Sequence, residues 1–378
     1  MMKRIPYNSP AYIPESETYI SQALQSGHLS GDGPFTRKAS ALLESLTHAK
    51  KALLTTSCTH ALEMTAILLD LKPGDEVIVP SFTFVSTVNA YVLRGAKPVF
   101  ADIRPDTLNI DESKIEAFIT PKTKAIVVVH YAGVACEMDV INDLAAKHKL
   151  VVIEDNAHGL FGKYKGRNLG TLSPLATQSF HETKNISTGE GGALLINDLK
   201  FIERAEIIRE KGTNRSRFFR GQIDKYSWVD IGSSYLPSEL IAAVLLAQLE
   251  SKDKIQAKRL AIWNTYHTEL KKWANDNAIL QPYIPNHCEH PGHIYYLLMP
   301  NLDSRTRFIE WMQSQNIVTV FHYLPLHLSD MGQQFGGQAG DCPVTEDISD
   351  RLVRLPLFYD LSENDLSYVI EKTTSFSP

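Results

Sequence analysis

From Ala52 to about Leu195 the chain alternates short, continuous apolar runs with stretches of helical periodicity. Ala52-Leu-Leu-Thr-Thr56 precedes a helical pattern from Thr59 to Leu69, and Glu76-Val-Ile-Val-Pro80 precedes another from Val85 to Leu93. Pro98–Asp102 and Lys124–Val129 follow, the latter leading to a helix near Asp139–His148. Leu150–Glu154, an apolar run ending at Lys184, and Gly192–Asn197 complete the series. Strands apolar on both faces and separated by helices predict a mostly parallel sheet covered on both sides, an α/β fold. In such sheets ligands collect at the carboxyl ends of the strands.

The flanking segments are less regular. Ile5-Pro-Tyr-Asn-Ser-Pro10 is barred from a helix by its two prolines, whereas Glu17–Gln25 carries a weak helical pattern. Gly27–Gly33 reads as a loop, either a plain turn or a flap that touches substrate. Leu199–Glu210 is helical, and Ser238 to about Trp273 is a single long helical pattern that links a larger domain to a smaller one. The division is placed at residues 1–249, a large domain with an N-terminal arm, and 250–378, a small α+β domain. Within the latter, Pro282–Pro291 predicts a loop and Val318–His327 a strand running into a proline turn.

Composition narrows the class without naming a chemistry. Hydrophobic content of 43% and charged content of 21% are ordinary for a globular chain of 378 residues. A net charge of −5 argues against a general nucleic-acid or anionic-membrane binder. Four scattered cysteines and a polar, proline-broken start predict a reducing, cytoplasmic setting. Neither the cysteines nor the thirteen histidines show metal-ligand spacing, so no metal is expected.

The candidate chemistry sits at the ends of two of the apolar runs. Ser179-Phe-His-Glu-Thr-Lys184 brings one lysine to the edge of a Gly-rich turn, and Val151-Val-Ile-Glu-Asp155-Asn-Ala-His158 delivers an acid at a strand's carboxyl end. A lysine able to form a Schiff base and an acid able to pair with a pyridinium nitrogen are what pyridoxal 5'-phosphate (PLP) requires of a protein. Its phosphate needs a cradle, which Ser57-Cys58-Thr59 offers between a strand end and a helix start, with Ser179 adding a hydroxyl. Phe84 offers a stacking face, and His158 can either hydrogen-bond the ring hydroxyl or pack on the ring. Substrate contacts are expected from His181, from His322 and Tyr323, and from Arg215 and Arg220 in the basic, aromatic stretch Lys211–Arg220. That stretch reads equally well as a solvated loop.

With these segments in view the chain resembles the nucleotide-sugar aminotransferases of the DegT/DnrJ/StrS family. The resemblance runs from Ile5-Pro-Tyr-Asn to Pro356-Leu-Phe-Tyr and rests on Gly74–Thr87, His130-Tyr-Ala-Gly133 and Ser179–Lys184. Glu210–Ser216 and Asp230–Tyr235 look like the subgroup that makes dTDP-4-amino-4,6-dideoxygalactose. The resemblance implies a fold type I PLP enzyme in which glutamate donates an amino group and a keto sugar nucleotide receives it. Lys184 would also be the base that moves the proton. It further implies a homodimer with shared sites, where a partner loop near Gly232–Ser234 reaches the phosphate, with Ser234 making that contact. The chain departs from the wider family at Gly232-Ser-Ser-Tyr-Leu236, at Cys58 in place of a glycine, and at His158 in place of a glutamine.

Rival readings are weaker. No GxGxxG follows the first strand, as a dinucleotide-binding protein would require. The related PLP-dependent sugar dehydratases carry histidine where Lys184 stands. A silent PLP-binding regulator would need a DNA-binding segment ahead of this domain. The gluco epimer and a 3-keto acceptor remain alternatives for the sugar.

Overall fold

A computed structural model describes residues 4–378. The strands are β1 (Lys51–Thr55), β2 (Glu76–Pro80), β3 (Lys97–Ala101), β4 (Thr123–Val129), β5 (Val151–Asp155), β6 (Lys163–Tyr164), β7 (Arg167–Asn168), β8 (Leu175–Ser179), β9 (Gly192–Ile196), β10 (Cys288–Glu289), β11 (Tyr295–Leu298) and β12 (Leu352–Leu355). The helices up to the middle of the chain are α1 (Glu15–Gln25), α2 (Pro34–Thr47), α3 (Cys58–Leu68), α4 (Val85–Val92), α5 (Met138–His148), α6 (Ile202–Arg209) and α7 (Arg215–Phe219). They are followed by α8 (Glu239–Glu250), α9 (Lys252–Glu269), α10 (Lys271–Asp276), α11 (Leu302–Ser314), α12 (Asp330–Gln334), α13 (Pro343–Arg351) and α14 (Glu363–Thr374).

Seven strands form the main sheet in the order β1-β9-β8-β5-β4-β2-β3, parallel from β8 to β3, with β9 antiparallel to both neighbours. Alternation along each strand feeds apolar clusters on both faces of the sheet. Leu53, Val77, Val127, Ile153 and Leu194 face α3, α4 and α6, while Leu54, Ala176 and Leu195 face α2 and α8. Ile78, Ile126 and Val152 pack on α5. This is the double-sided burial that the continuous apolar runs predict.

The expected single helix over Ser238–Trp273 is three. Ser251 and Leu270 interrupt it with local turns, and the breaks let one segment serve two cores. Helix α8 packs beneath the main sheet, whereas α9 carries Ile262, Trp263 and Tyr266 into a separate core with β11, β12, α11 and α14. The expected strand at Val318–His327 is instead extended chain, touching β12 through a single bridge between Val320 and Arg354. Helix α2 is absent from the expectation altogether, although Pro34 at its first position after Gly33 is a helix-start signal.

Helix α2 has no capping side chain of its own, because Gly33 holds its N-cap position. The buried carboxylate of Glu239, at the start of α8, takes that role from across the fold. It accepts the backbone N–H groups of Gly33 (3.1 Å), Phe35 (2.7 Å) and Thr36 (2.9 Å), together with the Thr36 hydroxyl. A comparable clip ties the extended segment to β2. Ser81 Oγ meets His327 Nδ1 at 2.6 Å, His327 Nε2 meets Glu346 Oε1 at 3.0 Å, and Leu326 N–H donates to Ser81 O at 3.1 Å. Asp102 caps α13 through Val344 N–H, Thr345 N–H and the Thr345 hydroxyl.

Replacing Glu239 by alanine would strand three backbone donors in a buried site. A loss of about 2–4 kcal/mol of unfolding free energy is expected, read from the urea midpoint. An unchanged midpoint would remove Glu239 as the cap of α2.

Candidate active site

The carboxyl ends of β1, β2, β4, β5 and β8 surround a cavity of about 940 Å³. Each end supplies a different part. β5 ends on Asp155, whose side chain is buried and among the described residues receives two hydrogen bonds, from Thr87 Oγ1 at 2.7 Å and from Ala157 N–H at 3.1 Å. Burial pushes its pKa up, and those two donors with the nearby Lys184 charge pull against the rise. A buried carboxylate held this way suits a cation delivered by a ligand.

Lys184 is not at the end of β8, as the sequence pattern suggests, but five residues past Ser179 on a turn. Ser179 pairs with Gly192 across to β9, and the excursion between them carries the lysine. The turn is stiff. Phe180 and Ile186 are buried anchors on either side, and Lys184 N–H donates to His181 O at 2.9 Å. Asn185 Nδ2 donates to Pro291 O at 2.9 Å. Lys184 Nζ keeps part of its surface open to the cavity and has no hydrogen-bond partner among the described residues. Desolvation by the surrounding walls lowers its pKa to about 8, against the opposing pull of Cys58 and Asp155. A substantial neutral fraction near physiological pH is what a nucleophilic amine needs.

The anion cradle is the first turn of α3. Ser57 caps the helix by accepting from His60 N–H at 3.1 Å, which leaves the N–H groups of Cys58 and Thr59 at the cavity edge. Gly192 makes this possible, because a Cβ there would lie 2.4 Å from Cys58 N and from Ser57 C. The Cys58 thiol turns toward Thr177 (3.5 Å), and burial raises its pKa, so it serves as packing rather than as a nucleophile. Thr59 donates to Ser86 Oγ at 2.9 Å.

Phe84 is 56% exposed and forms one wall, while His158 is buried opposite other rings. His158 Nδ1 accepts from Ala132 N–H at 3.4 Å and its Nε2 meets Tyr323 OH at 3.2 Å. His293 packs beside it with ring centroids 4.3 Å apart, and His322 Nδ1 meets Tyr131 OH at 2.7 Å. Burial pushes all three histidines well below the usual range, so the cluster is neutral.

Of the residues expected from sequence, Cys58, Thr59, Phe84, Asp155, His158, Ser179, His181, Lys184, His322 and Tyr323 line this one cavity. Ser234, Arg215 and Arg220 do not. Ser234 is exposed and bridges Glu210, and the two arginines are drawn off by Glu210 (3.5 Å) and Glu206 (2.9 Å). The Lys211–Arg220 stretch is also partly helical, as α7. The Gly27–Gly33 loop lies outside the cavity lining, pinned by Asp32 to Arg209 at 2.7 Å. Conversely Tyr7, Thr87, His293 and Arg354 belong to the site but are silent in the sequence reading.

Over residues 11–374 the chain matches the DegT/DnrJ/EryC1/StrS aminotransferase family. It belongs to that family. It is 34% identical to the spore coat polysaccharide biosynthesis protein SpsC of Bacillus subtilis, covering 97% of this chain and 95% of that one. An uncharacterized protein of Methanocaldococcus jannaschii is 37% identical over 89% of each chain. Among solved structures, Spr1654 of Streptococcus pneumoniae superposes with a TM-score of 0.91 in its apo and PMP forms and 0.90 in its PLP form, at 26% identity, covering 99% of this chain and 97% or, in the PLP form, 98% of that one. Helicobacter pylori PseC, an aminotransferase involved in pseudoaminic acid biosynthesis, gives 0.90 at 27% identity over 98% of both. The enzyme is a PLP-dependent sugar aminotransferase with the fold type I architecture. The cavity fits that cofactor, with an amine, a buried acid, a helix-end cradle and an aromatic wall in one place.

Covalent capture of PLP by the cofactor-free protein requires neutral Lys184. Its rate is expected to rise with pH through a midpoint near 8, where Lys184 loses its proton. Borohydride should then fix the label on Lys184. A midpoint in the range of an ordinary lysine, about 10.4, or a label elsewhere, would overturn the assignment.

Proposed function

We propose that the enzyme moves the amino group of glutamate to C4 of dTDP-4-keto-6-deoxy-D-glucose, giving dTDP-4-amino-4,6-dideoxy-D-galactose. The observation that carries this reading is the meeting of Lys184 and Asp155 in one cavity of a sugar aminotransferase fold. At about 940 Å³ the cavity also has room for more than the cofactor. The subgroup likeness of Glu210–Ser216 and Asp230–Tyr235 supports the particular sugar. The kinship with SpsC and PseC supports a place in making a deoxyaminosugar for surface polysaccharide.

When bound, PLP supplies the electron sink that lets an amino group pass between two substrates. The chain's residues do the rest. Asp155, oriented by Thr87 and Ala157 N–H, holds the ring nitrogen in its protonated form. Lys184 Nζ takes up and returns the proton at the substrate carbon that bears nitrogen. The first turn of α3 and Ser179 hold the phosphate, and Phe84 and His158 bound the ring. His181, His322 and Tyr323 border the substrate.

This reading includes a homodimer in which Ser234 of one copy reaches the phosphate bound by the other, while Arg215 and Arg220 take the nucleotide diphosphate. Support comes from the same stretch, where the Arg215 guanidinium lies 4.9 Å from the ring centre of Phe219, which is 66% exposed. Each arginine side chain also keeps more than 40% of its surface open.

Asp155→Asn should keep the fold and lose at least about a hundredfold in kcat, since an amide cannot hold the ring nitrogen positive. Near-normal turnover would remove the role given to Asp155.

Incubating the enzyme with glutamate and the 4-keto sugar tests the reaction itself. A small H3–H4 coupling in the NMR spectrum of the product is expected, marking an axial amine and the galacto configuration. A large coupling assigns the gluco epimer instead, and amination of a 3-keto sugar alone overturns the regiochemistry.

A further inference from the structure

Pro291, Gly292 and His293 lead into β11, and α9 holds all three of their carbonyls. Gln256 Nε2 donates to Pro291 O at 3.0 Å, Arg259 Nε to Gly292 O at 3.2 Å and Arg259 Nη2 to His293 O at 2.5 Å. The residue after Lys184 joins the same knot. Asn185 Nδ2 donates to Pro291 O at 2.9 Å and to Gln256 Oε1 at 3.0 Å, so its amide has one orientation, and its Oδ1 faces His293 Nδ1 at 2.9 Å. An amide oxygen only accepts, so Nδ1 of His293 carries the ring hydrogen. The residue is 4% exposed, and burial keeps its ring neutral. Its Nε2 is therefore a lone-pair acceptor. His293 lines the cavity, and its Nε2 has no hydrogen-bond partner among the described residues and is not sealed from the cavity. The other two histidines of the cluster differ. His158 has both nitrogens engaged, by Ala132 N–H and Tyr323 OH. His322 meets Tyr131 OH, a hydroxyl that can donate or accept, so its tautomer is not dictated.

We propose that His293 is a specificity-determining residue of the sugar site, its Nε2 accepting a hydrogen bond from a hydroxyl group of the keto sugar. The inference rests on the reading that the amino acceptor is a 4-keto sugar nucleotide. Hydrogen count selects the partner. A lone-pair acceptor has nothing to offer an ionised carboxylate or a phosphate, which bring no hydrogen of their own. The cofactor is already provided for by Lys184, Asp155 and the first turn of α3. A sugar hydroxyl brings the hydrogen that Nε2 lacks. The position suits a substrate contact, because the His293 ring centre lies 4.3 Å from that of His158 and the Lys184 charge is near enough to act on it. A buried acceptor of fixed tautomer discriminates sharply. A sugar whose hydroxyl is removed, or turned away by inversion at its carbon, strips Nε2 of water without replacing the bond.

The test separates the two ring nitrogens. The amide of asparagine reaches the place of Nδ1 and that of glutamine the place of Nε2. His293→Asn therefore keeps the tie to Asn185, and His293→Gln keeps an acceptor at the cavity. The two half-reactions are followed separately in each holoenzyme, with the 4-keto sugar nucleotide and its 2-deoxy and 3-deoxy analogues as probes. His293→Asn is expected to raise the sugar KM by about 10- to 100-fold, with a smaller change in the glutamate KM. His293→Gln should recover part of that loss. The wild type should lose a similar factor on one of the deoxy analogues, and in His293→Asn that preference should shrink to within about threefold. A wild-type enzyme indifferent to both deoxy analogues overturns the proposal. So does a His293→Gln variant worse than His293→Asn, which would make the tie to Asn185 the whole role of the ring. An equal rise in both KM values, or a loss confined to glutamate, also overturns it and would give Nε2 to the donor's amine. A wild-type enzyme that ignores this sugar and aminates another keto sugar overturns the sugar reading alone. In that case the deoxy analogues of that sugar decide the role of His293.

Discussion

Two consecutive carboxylates at the end of β5 set the terms for the site. Strand geometry turns them to opposite faces. Glu154 points into the protein, where it accepts from Gly170, Leu172 and Ser173 N–H, the Ser173 hydroxyl and His130 Nε2. Asp155 points into the cavity with two donors. The first is fully satisfied by the protein and fixes the strand end. The second is left short, and a buried carboxylate left short attracts a cation. The first makes the second possible, because a mobile strand end would let Asp155 swing into solvent.

The lysine opposite is governed by the same economy of partners. Its backbone is locked by buried neighbours, while its amine has no hydrogen-bond partner among the described residues. Rigidity of the turn and looseness of the head group together give a nucleophile of fixed position and adjustable protonation. Gly192 contributes from a third direction by letting a helix N-terminus press against the strand that closes the lysine turn.

The sheet and most of the catalytic set are legible in the sequence because they obey one local rule: an apolar run, then a polar residue at its carboxyl end. Asp155, His158 and Ser179 follow that rule, Phe84 lies just past such an end without being polar, and Lys184 follows it loosely. Tyr7, His293 and Arg354 do not, because they arrive from the N-terminal arm and the C-terminal part of the chain, between 138 and 199 residues from Asp155 in sequence. Arg354 leaves one trace, an arginine inside an apolar run ahead of Pro356. The β-branched run Val318–Val320 imitates a strand because local propensity cannot show whether a pairing partner is present. The continuous periodicity across Ser251 likewise conceals a change of core. Ser234, Arg215 and Arg220 carry the right chemistry, but pairing with nearby carboxylates and surface exposure cannot be read from spacing.

The clip of Ser81, His327 and Glu346 has the composition of a hydrolase triad, yet its serine and imidazole are sealed from solvent. What it does is metrological. The segment bearing His322 and Tyr323 takes its zero from β2, in the same sheet that positions Asp155, and is tied at its other end to β12 through Val320 and Arg354. The imidazole of His322 and the phenol of Tyr323, both facing the cavity, therefore sit on a span tied at both ends. The height of the reaction chamber is gauged between two anchors, β2 at one end of the span and Arg354 on β12 at the other.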